Sequence, residues 1–187
     1  SEAWHKEAEK RGLPNLKTTP VALDAMVTEK AKKVFLDNGI YTHAELEARH
    51  EIELEKYIKK VQIEARLMGD LATNHIIPAA IKYQNVLLQN VSLLREAALP
   101  EKLYKGQLTL LKEVCTHIQE VYDNVHEMVE ARKVANNIEE TRAKAITYEA
   151  KVKAQYFDKI RYHVDKLEEL VDDELWTLPK YRELLFL

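Results

Sequence analysis

The sequence predicts an all-α protein, and three observations carry that prediction. Four Gly and five Pro in 187 residues leave few natural breakpoints, and aromatic residues make up only 7% of the chain. Such a composition favours long helices over strands and tight turns. Apolar residues also recur every three or four positions in several stretches. We expect a bundle of long antiparallel helices, preceded by two shorter helices and followed by an extended aromatic C-terminal tail.

The first 41 residues predict two short helices. The first stops at Gly12 and Pro14, and the second begins at Thr19-Pro20 and ends at Asn38-Gly39. Thr42 and Glu45 then have the spacing of a capping box, in which each side chain bonds the other's backbone N–H. The sequence therefore predicts an N-terminal segment over 1–41, a long-helix bundle over 42–171 and a tail over 172–187.

The long helix that starts after Thr42 has an apolar seam at alternating spacings of three and four residues. Its members are Leu54, Ile58, Val61, Ala65, Met68, Ala72, His75 and Ala79. A second apolar row, formed by Ile63, Leu67 and Leu71, predicts that burial widens toward Leu71. Pro78 removes a backbone donor and predicts a kink or short break, with a further helix running to about Ala98.

Two further long helices follow. Pro100 suits a helix start, and the next seam reads Leu108, Leu111, Cys115, Ile118, Tyr122, Val125 and Val129, with an end near Asn136. A helical stretch begins again at Ile138, and its last part has the seam Phe157, Ile160, Val164, Leu167 and Val171. After Asp172 the pattern loses its period, which predicts the tail.

Residues 71–94 carry a single formal charge, Lys82, although 32% of the whole chain is charged. Six amide or imidazole side chains in this stretch are too many for a membrane span: Asn74, His75, Gln84, Asn85, Gln89 and Asn90. A surface helix would carry more charge. We therefore expect a central helix that is enclosed by protein, with its polar groups hydrogen-bonded to neighbouring helices.

Seven residues are candidates for structural or interface roles. Four belong to the uncharged stretch and its start: Asp70, Asn74, His75 and Asn85. Three belong to the tail: Trp176, Tyr181 and Phe186. The tail is rich in groups that bury large areas, so we interpret it as an anchor to another domain or subunit, with packing along its own bundle as the alternative.

The charge balance excludes some partners. The chain has 28 Lys and Arg against 31 Asp and Glu, a net charge of −3, and no dense basic stripe, which argues against nucleic acid. No membrane segment is expected either. Cys115 is the single cysteine, so neither a disulfide nor a cysteine zinc site can form within one chain. This fits a reducing compartment and predicts a cytoplasmic protein.

No pattern in the sequence predicts an active site. Glu47 and His50 have the Glu-x-x-His spacing of di-metal bundles, and Asp123 and His126 are a second, imperfect match. The stretch around Glu47 is among the most charged in the chain, which favours a solvated surface over a metal centre. His75 could act as a base or ligand only with an orienting partner, so a hydrogen-bonded structural histidine is favoured. Gly-rich phosphate loops and nucleophile motifs are absent from the sequence. We therefore predict no catalytic, cofactor-binding or metal-binding residues.

Four runs of sequence resemble one family. They are RLMGDLATNHIIPAAIKYQN from Arg66 to Asn85, the preceding YIKKVQIEAR, the ending KIRYHVDKLEELVDDELWTLPKYRELLF, and the early segment KRGLPNLKTTPVALDAMVTEKAKKVF. Together they resemble the C-terminal region of type III glutamine synthetases over essentially the whole chain. The chain is thus expected to be a fragment of a longer enzyme.

The resemblance implies a parent enzyme that joins glutamate and ammonia at the expense of ATP, with Mg²⁺ or Mn²⁺ ions. It implies a homo-oligomeric ring assembly, a dodecamer, in which this region adjoins an upstream catalytic domain of the same chain. The family's catalytic, nucleotide and metal residues lie upstream, and no position here matches their motifs. The expected role is therefore non-catalytic, in packing or assembly, with no cofactor in the fragment.

Two alternatives remain open. One is a free-standing helical module for protein–protein interaction. The other is a di-metal bundle enzyme that uses Glu47, His50, Asp123 and His126.

Overall fold

The structure, a computed structural model, describes residues 2–185, and all regular secondary structure in that range is helical. The α-helices are α1 (Glu2–Lys10), α2 (Thr19–Leu23), α3 (Glu29–Asp37), α4 (His43–Leu71), α5 (Ile77–Glu96), α6 (Lys105–Asn136), α7 (Thr141–Thr147), α8 (Asp158–Leu170) and α9 (Tyr181–Leu184). Two π-helical segments, Ala72–Ile76 and Tyr148–Phe157, join α4 to α5 and α7 to α8. Short 3-10 turns lie at Asp24–Val27 and Glu101–Leu103. The all-α prediction is confirmed.

The predicted helix ends follow from local chemistry and are confirmed. Gly12 and Gly39 have φ angles of +70° and +63°, the left-handed conformation that ends a helix without a Cβ penalty. The capping box forms as predicted, because Thr42 N donates to Glu45 Oε2 at 2.8 Å and Glu45 N donates to Thr42 Oγ1 at 3.3 Å. The α4 helix starts at the next residue after this cap.

The second predicted helix is interrupted, so three short helices precede α4 instead of two. Thr28 is extended, and its hydroxyl accepts a hydrogen bond from Ala31 N at 3.3 Å, which starts α3. A threonine that caps a new helix competes with continuation of the previous one. The helix expected at Pro100 also starts later than predicted, because a 3-10 turn follows Pro100 and α6 begins at Lys105.

The described chain packs as two compact units. The first comprises residues 2–62 and 134–150, and the second comprises residues 63–133 and 151–185. The chain passes from one unit to the other at three points, inside α4, inside α6 and inside the π-helical segment Tyr148–Phe157. The division at residues 41 and 171 stays a prediction.

The first unit is built around a buried tyrosine. Tyr148 is fully buried, its hydroxyl donates to Asn136 Oδ1 at 2.5 Å, and it accepts from Gln62 Nε2 at 3.0 Å. The hydroxyl is therefore well paired, as a buried polar group requires. Other buried apolar side chains of this unit are Leu46, Leu54, Tyr57, Ile58, Val61, Ala135 and Ala145.

The second unit packs α6 antiparallel to the helical run that ends in α8. Tyr156 lies beside Glu127, and seven residues later His163 lies beside His117, so the two chains run in opposite directions. Three members of the predicted seam, Ile160, Leu167 and Val171, are buried, and the other two, Phe157 and Val164, are partly buried. Other buried side chains of this unit come from several elements and include Ala65, Ala72, Ile76, Ala79, Ala80, Leu87, Val91, Val114, Val121, Met128 and Val152.

The predicted α6 seam is partly wrong. Val125 is buried as expected, but Val114, Val121 and Met128, each one residue before a predicted member, are fully buried. Tyr122, a predicted member, is half exposed. Valines and a methionine at spacings of seven form an equally apolar row, so periodicity did not distinguish the two faces.

The π-helical turn Ala72–Ile76 replaces the break that Pro78 predicts. The helix continues through this turn, and Pro78 lies in the first turn of α5. Proline lacks an N–H and crowds the carbonyl four residues earlier, and a π turn widens the helix at that point. The turn also accommodates one extra residue, so every later side chain is rotated relative to a regular helix. Ile76 therefore points inward where the seam predicted His75.

Candidate interaction surface

The expectation of an enclosed central helix over residues 71–94 is wrong for this chain. Only six of its residues are buried, and they form an inner row along the π turn and α5: Ala72, Ile76, Ala79, Ala80, Leu87 and Val91. The opposite side is open to solvent. The uncharged composition therefore does not reflect burial inside this chain.

All six residues of the inner row belong to the core of the second unit. The polar candidates lie away from it. Asp70, Asn74 and His75 are exposed around the π turn, where Asn74 Nδ2 donates to Asp70 Oδ1 at 2.6 Å. Asn85 is exposed on α5. The structure thus brings Asp70 and Asn74 together, and the rotation at the π turn carries His75 to the surface.

The outer side of α5 is an exposed surface with little charge. Four large apolar side chains on it are between 41% and 56% exposed: Ile81, Val86, Leu88 and Leu93. The exposed polar residues between them are Lys82, Asn85, Gln89, Asn90 and Ser92, of which only Lys82 is charged. We call these nine residues the outer α5 face. A contiguous surface of this kind is typical of a protein–protein contact.

A second exposed apolar feature lies in the same unit, between α4 and α8. It is a groove of about 370 Å³ whose apolar lining consists of Leu67, Met68, Leu71, Ile76, Phe157, Ile160 and Val164. The row Ile63, Leu67 and Leu71 was predicted to be buried, but Ile63 and Leu67 are 66% and 54% exposed. Nothing in the described part of the chain covers this row, so its apolar pattern does not report burial here.

The C-terminal tail folds back on its own unit. Trp176 is 9% exposed, and the Lys180 ammonium lies 5.8 Å from the centre of its ring. Lys180 Nζ also donates to Val171 O at 3.0 Å and pairs with Asp173 Oδ1 at 2.6 Å. Trp176 therefore packs within this chain, which matches the alternative role considered for the tail.

The other two aromatic candidates of the tail differ. Tyr181 is half exposed at the end of the groove, and its hydroxyl accepts from Arg161 Nη2 at 2.8 Å. Phe186 lies outside the described residues. An anchoring role for Tyr181 and Phe186 stays a prediction.

The first unit contains an ion cluster that the sequence did not predict. Asp24 accepts hydrogen bonds from Arg142 Nε and Nη2 at 2.9 and 2.6 Å, and its Oδ1 lies 3.1 Å from His50 Nε2. Asp24 and Arg142 are 118 positions apart, and no local motif marks them. The cluster ties the 3-10 turn to α4 and α7. Hydrogen bonding to the Arg142 guanidinium lowers the pKa of the Asp24 carboxyl.

The candidate metal pairs do not assemble into a centre. His50 faces Asp24, and Asp123 accepts from Gln119 Nε2 at 2.9 Å. Among residues 2–185 there is no group of three or more His, Cys, Asp or Glu side chains that could hold a metal ion. The geometry of these residues is that of ordinary surface and ion-pair contacts.

Replacement of Asp24 by Asn should destabilise the chain by about 0.5–1.5 kcal/mol, because Arg142 and His50 lose a charged partner. The pKa of Asp24 is lowered on folding, so its contribution is present above the unfolded value and is lost as pH falls through the folded value. The difference in unfolding free energy between the unmodified chain and the variant should therefore become smaller below about pH 4. Urea titrations of both proteins at several pH values measure this difference.

The matched control for this prediction is Glu55→Gln, which removes an exposed carboxylate that pairs with Lys59 one turn away on α4. Such a pair contributes a few tenths of a kcal/mol. Equal effects of the two substitutions at neutral pH would contradict a special role for the Asp24 cluster.

No helix in the described range is both long enough and apolar enough to cross a membrane.

The family model described as "Glutamine synthetase C-terminal domain" matches residues 1–95. Three curated proteins are similar over nearly the whole chain. They are a glutamine synthetase of Bacteroides fragilis at 44% identity, a type-3 glutamine synthetase of Dictyostelium discoideum at 31% and a glutamine synthetase of Butyrivibrio fibrisolvens at 28%.

The alignments cover nearly all of this chain but only a part of each relative. The alignments cover 100%, 98% and 100% of this chain, but only 26%, 25% and 26% of the respective relatives. The chain therefore spans about a quarter of the length of the curated relatives it matches.

Proposed function

Because the chain belongs to the glutamine synthetase C-terminal domain family, we propose that it is a non-catalytic helical domain of an ATP-dependent glutamine synthetase. The parent would join glutamate and ammonia, with Mg²⁺ or Mn²⁺ and ATP bound by residues outside this chain. The domain would contribute contacts that hold the parent enzyme together. The proposed compartment is the cytoplasm.

The observation that carries the packing role is the outer α5 face. Apolar side chains as exposed as Leu88 and Leu93 are unfavourable in water. Their burial against a partner would stabilise the contact by about 25 cal/mol per Å² of apolar surface. The near absence of charge removes the desolvation cost that charged groups would add to such a contact. The partner would be the catalytic domain of the same chain or another subunit of a homo-oligomeric ring.

The experiment introduces charge into this face in the full-length parent. Leu88→Glu combined with Leu93→Glu should reduce the assembly to smaller species, because two carboxylates would be desolvated in the contact. Analytical ultracentrifugation measures the mass, and glutamine formation is measured in parallel. The double variant should keep its helical circular dichroism, since both side chains are about half exposed.

A charge-matched control is Lys112→Glu, which changes the net charge by the same amount on an exposed position of α6. The control should assemble as the unmodified enzyme does. An assembly of unchanged mass and activity in the double variant would remove the outer α5 face from the contact. Glutamine formation by the 187-residue chain alone would contradict the non-catalytic role.

A further inference from the structure

Two histidines of the second unit face each other through the same ring atom. His117 on α6 and His163 on α8 approach with a distance of 2.8 Å between their Nδ1 atoms. Both side chains are partly buried. At this distance one Nδ1 must carry a proton and donate it, and the other must present its lone pair.

The pair lies among a few charged and titratable groups from the same two helices. On α6, the carboxylates of Glu113 and Glu120 interact electrostatically with His117. Glu120 Oε2 also lies 3.9 Å from His163 Nε2. On α8, the Lys166 ammonium interacts electrostatically with His117. The Tyr162 ring stands edge-on to the His163 ring, with 5.0 Å between the ring centres.

We propose that the His117–His163 pair is a proton-sensitive contact that holds α6 against α8 at neutral pH and weakens as the pH falls. Two neutral rings share one N–H···N bond between their Nδ1 atoms. One added proton is tolerated, because the imidazolium still donates to the neutral ring. When the second ring also becomes an imidazolium, two N–H groups and two positive charges oppose each other, and the helices must separate at this point.

The direction of titration agrees with this geometry. Burial, followed by the neighbouring His163, lowers the pKa of His117 below its usual 6.5. The unfolded chain therefore binds a proton more readily than the folded chain. For a histidine of lowered pKa, the folded state has its full stability above the unfolded value and loses stability as the pH falls through it.

The test compares the melting temperature of the 187-residue chain at about pH 7.5 and about pH 5.5, with a chelator present so that no metal replaces the shared proton. His163→Gln removes the second imidazole. We expect the fall in melting temperature between the two pH values to be about 2–4 °C smaller in this variant than in the unmodified chain. The control is His126→Gln, at an exposed α6 position where the ring centre lies 4.8 Å from that of Tyr122, and this variant should keep the full decrease.

A second measurement does not depend on the variant folding. Nitrogen NMR of the imidazole rings in the unmodified chain should show one of the two Nδ1 atoms protonated and the other not at about pH 7.5, with a titration of His117 below that of a free histidine. Equal decreases in melting temperature for the unmodified chain and His163→Gln would overturn the proposal. So would two rings that titrate independently.

Discussion

Leu54→Ala is expected to lower the free energy of unfolding by about 2–5 kcal/mol. Leu54 is 2% exposed on α4, in the core of the first unit. Removal of three carbon atoms there leaves a cavity, since packed neighbours relax only partly. Denaturant unfolding followed by circular dichroism measures the change.

Leu67→Ala is the matched control, with the same substitution on the same helix. Leu67 is 54% exposed, so little packing is lost and the expected change is within about 0.5 kcal/mol. The sequence predicted burial for both leucines, and this pair of variants separates that prediction from the structure. A loss at Leu67 as large as that at Leu54 would mean that the Leu67 row is covered in the isolated chain.

Local signals in the sequence predicted much of the fold because each depends on a few adjacent residues. Gly12 and Gly39 end helices through a backbone conformation that glycine adopts freely, and Thr42 with Glu45 starts α4 through hydrogen bonds three residues apart. The seam from Leu54 to Ala72 held because α4 is regular over that length.

The failures arise where the structure depends on distant residues or on irregular helix geometry. Asp24 meets Arg142 across 118 positions, and His117 meets His163 across 46, so neither contact has a local signal. Periodicity assumes 3.6 residues per turn, so it could not predict the π turn that rotates His75 outward.

Apolar and uncharged composition also has two different causes that a single sequence does not separate. The inner row of α5, which includes Leu87 and Val91, is apolar because it packs within this chain. The outer α5 face has the same low charge but is exposed here. Under the proposed function, this face is the one that another part of the parent enzyme would cover.

Deletion of Asn74 is expected to leave the second unit folded, whereas deletion of Lys82 is expected to destabilise it by about 4 kcal/mol or more. The π turn contains one residue more than a regular helix needs, so loss of Asn74 converts it to an α-helix and keeps Ile76, Leu87 and Val91 on the inner side. Lys82 lies in regular α5, where a deletion rotates Leu87 and Val91 by about 100° out of the core.

Pro78 is the main source of the destabilisation that remains when Asn74 is deleted. In a regular helix the proline ring crowds the carbonyl four residues earlier, which costs about 3 kcal/mol. The deletion should therefore be better tolerated when combined with Pro78→Ala than in the unmodified chain. Thermal unfolding of the two single deletions, of Pro78→Ala and of the combined variant gives the four values needed. If the Asn74 deletion combined with Pro78→Ala destabilises the chain as much as the Lys82 deletion does, the π turn does more than absorb an extra residue.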